Sequence, residues 1–165
     1  MSRYCLAITK EYTWDCAHML ANHEGLCKNI HGHTYKMEVT VARINNDDDK
    51  YNAVITDSGH PAEGMVTDFK HLKEIVKGEI VDKLDHAMII NMYSADPCEQ
   101  EVYKILEKYG KKIYPVCYRP TAENMAMSFA RKIDYMLREK NLGLTVLKVR
   151  LYETPTSYAD YILNE

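Results

Sequence analysis

Thr34-Tyr35-Lys36-Met37-Glu38-Val39-Thr40-Val41-Ala42-Arg43-Ile44 opens with a strict alternation of polar and apolar side chains. Tyr35, Met37, Val39 and Val41 fall on one side, and Thr34, Lys36, Glu38 and Thr40 on the other. That period of two marks a strand with one buried face. Upstream, Tyr4 to Ala17 is rich in Tyr, Trp, Thr and Ile and reads as a second strand. Downstream, Leu147, Val149 and Leu151 alternate with Lys148, Arg150 and Tyr152, so Leu144 to Glu153 is a third strand. A short fourth is expected near Tyr158 to Leu163.

Helical periods lie between these pairs. Asp68 is a plausible N-cap for Phe69, Leu72, Val76, Ile80 and Leu84, spaced by three and four. Pro120-Thr121 opens a second long helix with Met125, Phe129, Ile133 and Met136 on one face, and Asn141-Leu142-Gly143 closes it. Glu99 to Tyr109 is a shorter helix candidate, and Lys112 to Tyr118 adds a little strand. The main order is ββααββ. It predicts an α+β fold, an antiparallel sheet with two main helices on one face.

The 165 residues show no internal repeat and no linker, so 1–165 is expected to be one domain. Residues 45–64 are rich in turn signals and read as a surface insertion or extended hairpin, with Asp47-Asp48-Asp49 as a solvated tip. A net charge of -3 argues against nucleic-acid binding. No signal peptide follows the N-terminus, and no apolar stretch reaches the roughly eighteen residues of a membrane span. Five cysteines without a CxxC pair suggest a reduced, cytoplasmic protein in which most thiols are small core residues.

Four groups carry chemistry. In a strand, His31 and His33 point to the same side, and Gly32 between them lets another group come close. Two imidazoles on one face suit zinc, with His18 the leading third ligand and His23 the reserve. Three protein ligands leave a fourth position open, as catalytic zinc sites do. Against this stands the possibility that His-x-His is a chance pair of surface histidines. Cys27, four residues before His31, is open to three readings: a fourth ligand, an inert thiol, or a catalytic thiolate. Asp85-His86 ends the first helix and is either a proton shuttle or a helix cap. Glu153 continues the apolar face of its strand. It is either a solvated strand end or a carboxylate that grips a heterocycle with adjacent N–H and amino donors, such as a pterin or guanine.

Six segments in order resemble the 6-pyruvoyltetrahydropterin and 6-carboxytetrahydropterin synthase family. They are Trp14-Asp15-Cys16-Ala17-His18, Cys27-Lys28-Asn29-Ile30-His31-Gly32-His33-Thr34-Tyr35, the stretch from Met65 to Lys73, Leu84-Asp85-His86, Pro120-Thr121-Ala122-Glu123-Asn124 and Tyr152-Glu153-Thr154. The resemblance implies a tunnelling fold (T-fold), in which sheets from several subunits join into a barrel. It implies zinc on His18, His31 and His33, with Cys27 as the catalytic thiol and Asp85 and His86 as a proton-transfer pair. Glu153 becomes the pterin anchor, with Thr121 and Glu123 near the pterin pocket. Three residues separate Cys27 from His31, which resembles the 6-carboxytetrahydropterin synthases of queuosine and other 7-deazapurine biosynthesis. The implied reaction converts 7,8-dihydroneopterin triphosphate to 6-carboxytetrahydropterin, releasing acetaldehyde and triphosphate. The alternatives are the pyruvoyl-forming synthase, which stops at triphosphate elimination, and a non-catalytic zinc- or pterin-binding module. A homo-oligomer is expected, a hexamer with active sites between subunits.

Overall fold

The computed structural model describes residues 6–44 and 54–162. Four long strands follow the expected order: β1 (Ala7–His18), β2 (His31–Arg43), β5 (Leu144–Thr154) and β6 (Ser157–Ile162). Each pairs antiparallel with the next, β1 with β2, β2 with β5 and β5 with β6. The sheet is larger than this antiparallel ladder. Short strands β3 (Met88–Asn91) and β4 (Ile113–Val116) extend it beyond β1, giving the order β4-β3-β1-β2-β5-β6. Both additions are parallel, β3 to β1 and β4 to β3, and helix α3 (Pro97–Lys108) makes the crossover from the end of β3 back to the start of β4.

The first expected helix is built in three pieces: α1 (Phe69–Val76), a π turn (Lys77–Val81) and α2 (Asp82–Leu84). The sequence explains the π turn. Val76, Ile80 and Leu84 repeat every four residues, slower than the helical 3.6, so a regular α-helix would rotate them off the core. The wider turn absorbs that drift, and all three are fully buried. Phe69, at the first helical position, instead lies outside the core. Asp68 caps the helix as expected, its carboxylate accepting from the Lys70 N–H at 2.7 Å.

The second long helix, α4 (Ala122–Glu139), buries Met125, Phe129, Ile133 and Leu137 against the sheet. Leu137 takes the core position expected of Met136, which is only partly buried. On the sheet, Trp14, Tyr35, Met37, Val39, Val149 and Leu151 face the helices. Burying each such side chain contributes roughly 1.5–3 kcal/mol. Leu147 departs from the expected alternation. The β2–β5 register shifts between Thr40 and Val41, so Val41 pairs with Val146 and Thr40 with Lys148, leaving Leu147 as the extra residue of a bulge. Val146 turns inward in its place, and the parity of Val149, Leu151 and Glu153 is restored.

Of the expected insertion at 45–64, residues 45–53 lie outside the described residues, as do Tyr4 and Cys5 of the first expected strand and Leu163 of the last. The remainder is a loop closed by the Ile55 N–H to Met65 O (2.8 Å) and the Gly64 N–H to Ile55 O (2.9 Å). No helix of the described residues is long and apolar enough to cross a membrane.

Candidate active site

The β1–β2 ladder sets up the site. Its register ends with Cys16 opposite His33, Ala17 opposite Gly32 and His18 opposite His31. Strand alternation turns His18, His31 and His33 to the helix side of the sheet. The three rings meet, with centroids 4.5 Å (His18–His31), 5.3 Å (His18–His33) and 5.0 Å (His31–His33) apart. One nitrogen from each lies within 4.8 Å of the others. Gly32 permits the strand contact: a Cβ there would sit 3.2 Å from the Cys16 carbonyl oxygen.

Hydrogen bonds fix the imidazole tautomers. His18 Nδ1 lies 2.8 Å from the Pro120 carbonyl and His31 Nδ1 2.8 Å from the Asn29 carbonyl. A carbonyl only accepts, so both Nδ1 atoms carry the proton and both Nε2 atoms present lone pairs. These two Nε2 atoms are 3.1 Å apart. Two lone pairs at that separation repel unless a cation or a proton lies between them. His33 Nε2 is buried without a hydrogen-bond partner. Burial also holds His18 and His33 below the usual imidazole pKa, keeping them neutral as ligands must be. Three neutral, converging imidazoles with carbonyl-anchored outer nitrogens fit a divalent metal.

Glu153 joins this cluster, as its inward parity predicts. Its Oε1 lies 3.3 Å from His18 Nε2 and 3.7 Å from His33 Nε2, with the side chain 29% exposed. It also lines a cavity of about 340 Å³ with Cys27, His23, Thr121 and Glu123. Cys27 sits in a 3₁₀ turn (Leu26–Lys28) tied down by the Leu20 N–H to Cys27 O bond at 2.9 Å. The thiol is half-exposed and lies outside the histidine cluster. His23, the reserve ligand, is also outside it, its Nδ1 accepting from the Gly25 N–H at 2.9 Å. Thr121 caps α4, its hydroxyl accepting from the Asn124 N–H at 3.4 Å.

Asp85 and His86 pair directly, Oδ1 to Nδ1 at 3.1 Å. His86 adopts a left-handed backbone (φ 59°), rare for a residue with a side chain. The turn is held from outside. The His86 N–H donates to Asp15 O at 2.6 Å, and the Asp15 N–H donates to the Asp85 carboxylate at 3.2 Å. Lys112 Nζ donates to Asp82 O and Asp85 O at 2.9 and 2.5 Å. The Asp15 N–H, and then His86, hold the Asp85 carboxyl below its usual pKa. His86 lines a cavity of about 690 Å³ with Asp15, Gly32, His33 and Thr34. Cys27 is not in that cavity, and neither Asp85 nor His86 reaches the Cys27 cavity. Within one chain, Cys27 and His86 open onto different spaces.

Sequence reasoning missed three participants. The Pro120 carbonyl is a backbone group with no signature. Asp15 stands inside a quoted segment, yet only the fold brings it beside Thr34, whose hydroxyl it accepts at 2.5 Å. Tyr35 reads as an ordinary core residue of the alternation.

A curled mixed sheet backed by helices, with a histidine triad at the end of its central strand pair, defines an α+β T-fold enzyme. The chain belongs to the 6-pyruvoyl tetrahydropterin synthase family, whose model matches residues 7–163. It is 36% identical over 154 residues to the 6-carboxy-5,6,7,8-tetrahydropterin synthase of Haemophilus influenzae, covering 93% of this chain and 96% of that one. The Aquifex aeolicus protein of the same name is 38% identical over 138 residues, covering 82% and 75%. Among solved structures, the fold resembles 6-pyruvoyl tetrahydropterin synthase from Plasmodium vivax. The TM-score is 0.63 at 18% identity, covering 97% of this chain and 98% of that one.

Proposed function

We propose that this chain is a zinc-dependent 6-carboxy-5,6,7,8-tetrahydropterin synthase. It converts 7,8-dihydroneopterin triphosphate to 6-carboxytetrahydropterin, with release of acetaldehyde and triphosphate, as a step of 7-deazapurine (queuosine) biosynthesis. The observation that carries this reading is the pair of bare Nε2 atoms of His18 and His31, 3.1 Å apart beside the orphaned Nε2 of His33, in a chain whose named relatives make this product.

Each residue has a role its chemistry suits. His18, His31 and His33 would hold the metal, which would supply Lewis acidity and stabilise developing negative charge. Glu153 accepts from a pterin ring N–H and its exocyclic amino group, and fixes the ring. Cys27, as thiolate, removes a proton from the side-chain carbon next to the ring. His86, oriented by Asp85, moves protons on the opposite side. Thr121 and Glu123 flank the ring's pocket. The separate cavities of Cys27 and His86 favour a site completed between subunits of a homo-oligomer, with a hexamer expected. The pyruvoyl-forming synthase is the alternative, since it would use the same residues. A non-catalytic module would need neither Cys27 nor the Asp85–His86 pair.

The test is incubation of zinc-loaded protein with 7,8-dihydroneopterin triphosphate and mass analysis of the products. 6-Carboxytetrahydropterin with acetaldehyde supports the proposal. 6-Pyruvoyltetrahydropterin moves the chain to the other branch, and unchanged substrate contradicts both.

A further inference from the structure

The turn that carries His86 is closed by the Ala87 N–H to Leu84 O bond at 2.8 Å, so Leu84, Asp85, His86 and Ala87 form a β-turn. Asp85 has φ -57° and ψ 124°, and His86 has φ 59°. Those angles match a type II turn, whose third residue takes a left-handed backbone and is ordinarily Gly or Asn. The type I alternative differs by a half-rotation of the middle peptide, the one joining Asp85 to His86. It would return His86 to negative φ, where a residue with a Cβ is more at ease. Something must therefore hold that peptide in the costlier orientation.

Both sides of the peptide are gripped. Its N–H, on His86, donates to Asp15 O at 2.6 Å. Its carbonyl, on Asp85, accepts from Lys112 Nζ at 2.5 Å. The same ammonium donates to Asp82 O at 2.9 Å, a carbonyl near the open end of α2. Asp15 bonds the peptide through a backbone oxygen. Among the described residues, Lys112 is thus the one side chain from outside the turn that bonds it. Lys112 directly precedes β4, and the Met88 N–H donates to its carbonyl at 3.1 Å. The crossover through α3 therefore brings the chain back to the exit of the turn and sets the ammonium on Asp85.

We infer that Lys112 is a positioning residue: by holding the Asp85 carbonyl, it keeps the turn in its type II form and His86 aimed into the cavity that both residues line. A charged donor suits the task, because its bond to a carbonyl is stronger than a neutral one. Flipping the peptide would break the Lys112 and Asp15 bonds together and redirect the His86 side chain away from Asp85. The inference rests on the reading of His86 as a proton-transfer residue.

The first measurement needs no variant. In a type II turn the Hα of the second residue lies close to the N–H of the third, and in a type I turn it does not. The native protein should therefore show a strong nuclear Overhauser effect between Asp85 Hα and the His86 N–H, and a weak one overturns the inference. Lys112→Met keeps an unbranched side chain and removes the ammonium. That cross-peak should weaken, and the His86 amide should exchange with solvent about tenfold faster, the scale of losing a hydrogen bond to a charged group. Amides of the β2–β5 ladder should not change; faster exchange there as well would mark a general loosening and overturn the inference. Turnover should fall about tenfold, with KM and zinc content unchanged. In the His86→Ala background Lys112→Met should cost less than about twofold, because the residue it acts through is gone. An unmoved cross-peak, or an equal loss of turnover in both backgrounds, overturns the inference. Native turnover by His86→Ala would count against the proton-transfer reading instead, and the NMR comparison would still decide whether Lys112 holds the turn.

Discussion

The Nδ1 of His18 lies 2.8 Å from the carbonyl oxygen of Pro120, joining the end of β1 to the residue that precedes the cap of α4. That bond fixes the tautomer of a fully buried imidazole and aims its other nitrogen at His31 and His33. With all three histidines needed to hold the ion, the protein should purify with about one zinc per chain. His31→Ala and His33→Ala should each lose it, as read by elemental analysis. Full zinc retention by either variant would remove the triad as the metal site.

Gly32 tests the strand contact that delivers those ligands. The Cβ of Gly32→Ala would meet a backbone oxygen, Cys16 O, at 3.2 Å, and backbone yields less readily than a side chain. The variant should be less stable by about 1–3 kcal/mol. In a chain of this size that lowers Tm by roughly 2–4 °C per kcal/mol. Zinc affinity should fall with it, because Gly32 lies between two ligands. Unchanged melting and metal binding would show that the strands part without cost.

Cys27→Ala separates catalyst from ligand. The thiol lies outside the histidine cluster and lines the 340 Å³ cavity together with Glu153. Fold and zinc content should survive while turnover falls by a factor of about 10² or more, the scale of losing a general base. Loss of zinc instead would make Cys27 a ligand and require a different proton acceptor.

The pattern of what was readable in the sequence follows from the range of the forces involved. Alternation along β2 and along the end of β5 reported the local burial period, so Tyr35, Met37, Val149 and Glu153 fell on the side expected. His31 and His33 were legible for the same reason, since i and i+2 on a strand share a face; His18 was reached only through the expected pairing of the first strand with the second. Leu147 was misplaced because a bulge depends on the partner strand's register. Strand β3 was hidden because a four-residue segment carries almost no period; β4 was expected as a little strand over Lys112 to Tyr118, but its parallel partner had no local signature. The Asp15 contacts to Asp85 and His86, 70 and 71 residues away, have no local signature at all.

The open sheet edge and the separate cavities of Cys27 and His86 make assembly an expectation that can be tested. β6 is an edge strand with Tyr158 and Ile162 exposed, and unpaired edges are normally covered. Light scattering should find a closed homo-oligomer, with a hexamer expected, and a monomer at micromolar concentration would contradict it. Co-expression of Cys27→Ala with His86→Ala chains gives a sharper test. If each site takes the thiol from one subunit and the Asp–His pair from another, random mixing leaves about one quarter of sites intact. No recovery above the parent variants would place both groups within one chain's own site.

Glu153 is where parity and geometry agree. Its strand position turns it inward beside Val149 and Leu151, and its carboxylate sits beside the histidine triad and lines the cavity that holds Cys27. An ionised carboxylate there can accept two hydrogen bonds from adjacent donors on one face of a pterin, a charge-assisted bidentate pair. Glu153→Gln keeps the side chain's shape but replaces one acceptor oxygen with an amide that also donates. The ligand's donors would then face another donor, and one of them would be buried unmet. Pterin affinity should fall by roughly 2–4 kcal/mol, about 30-fold to 1000-fold in Kd. Zinc content should stay the same, since the three imidazoles come from β1 and β2 and the glutamate from β5. Fluorescence quenching by neopterin and elemental analysis on the same sample read both quantities. Loss of zinc would make Glu153 a metal ligand. Near-native affinity with zinc intact would release it from the anchoring role and move the search to Glu123, the other carboxylate lining the same cavity.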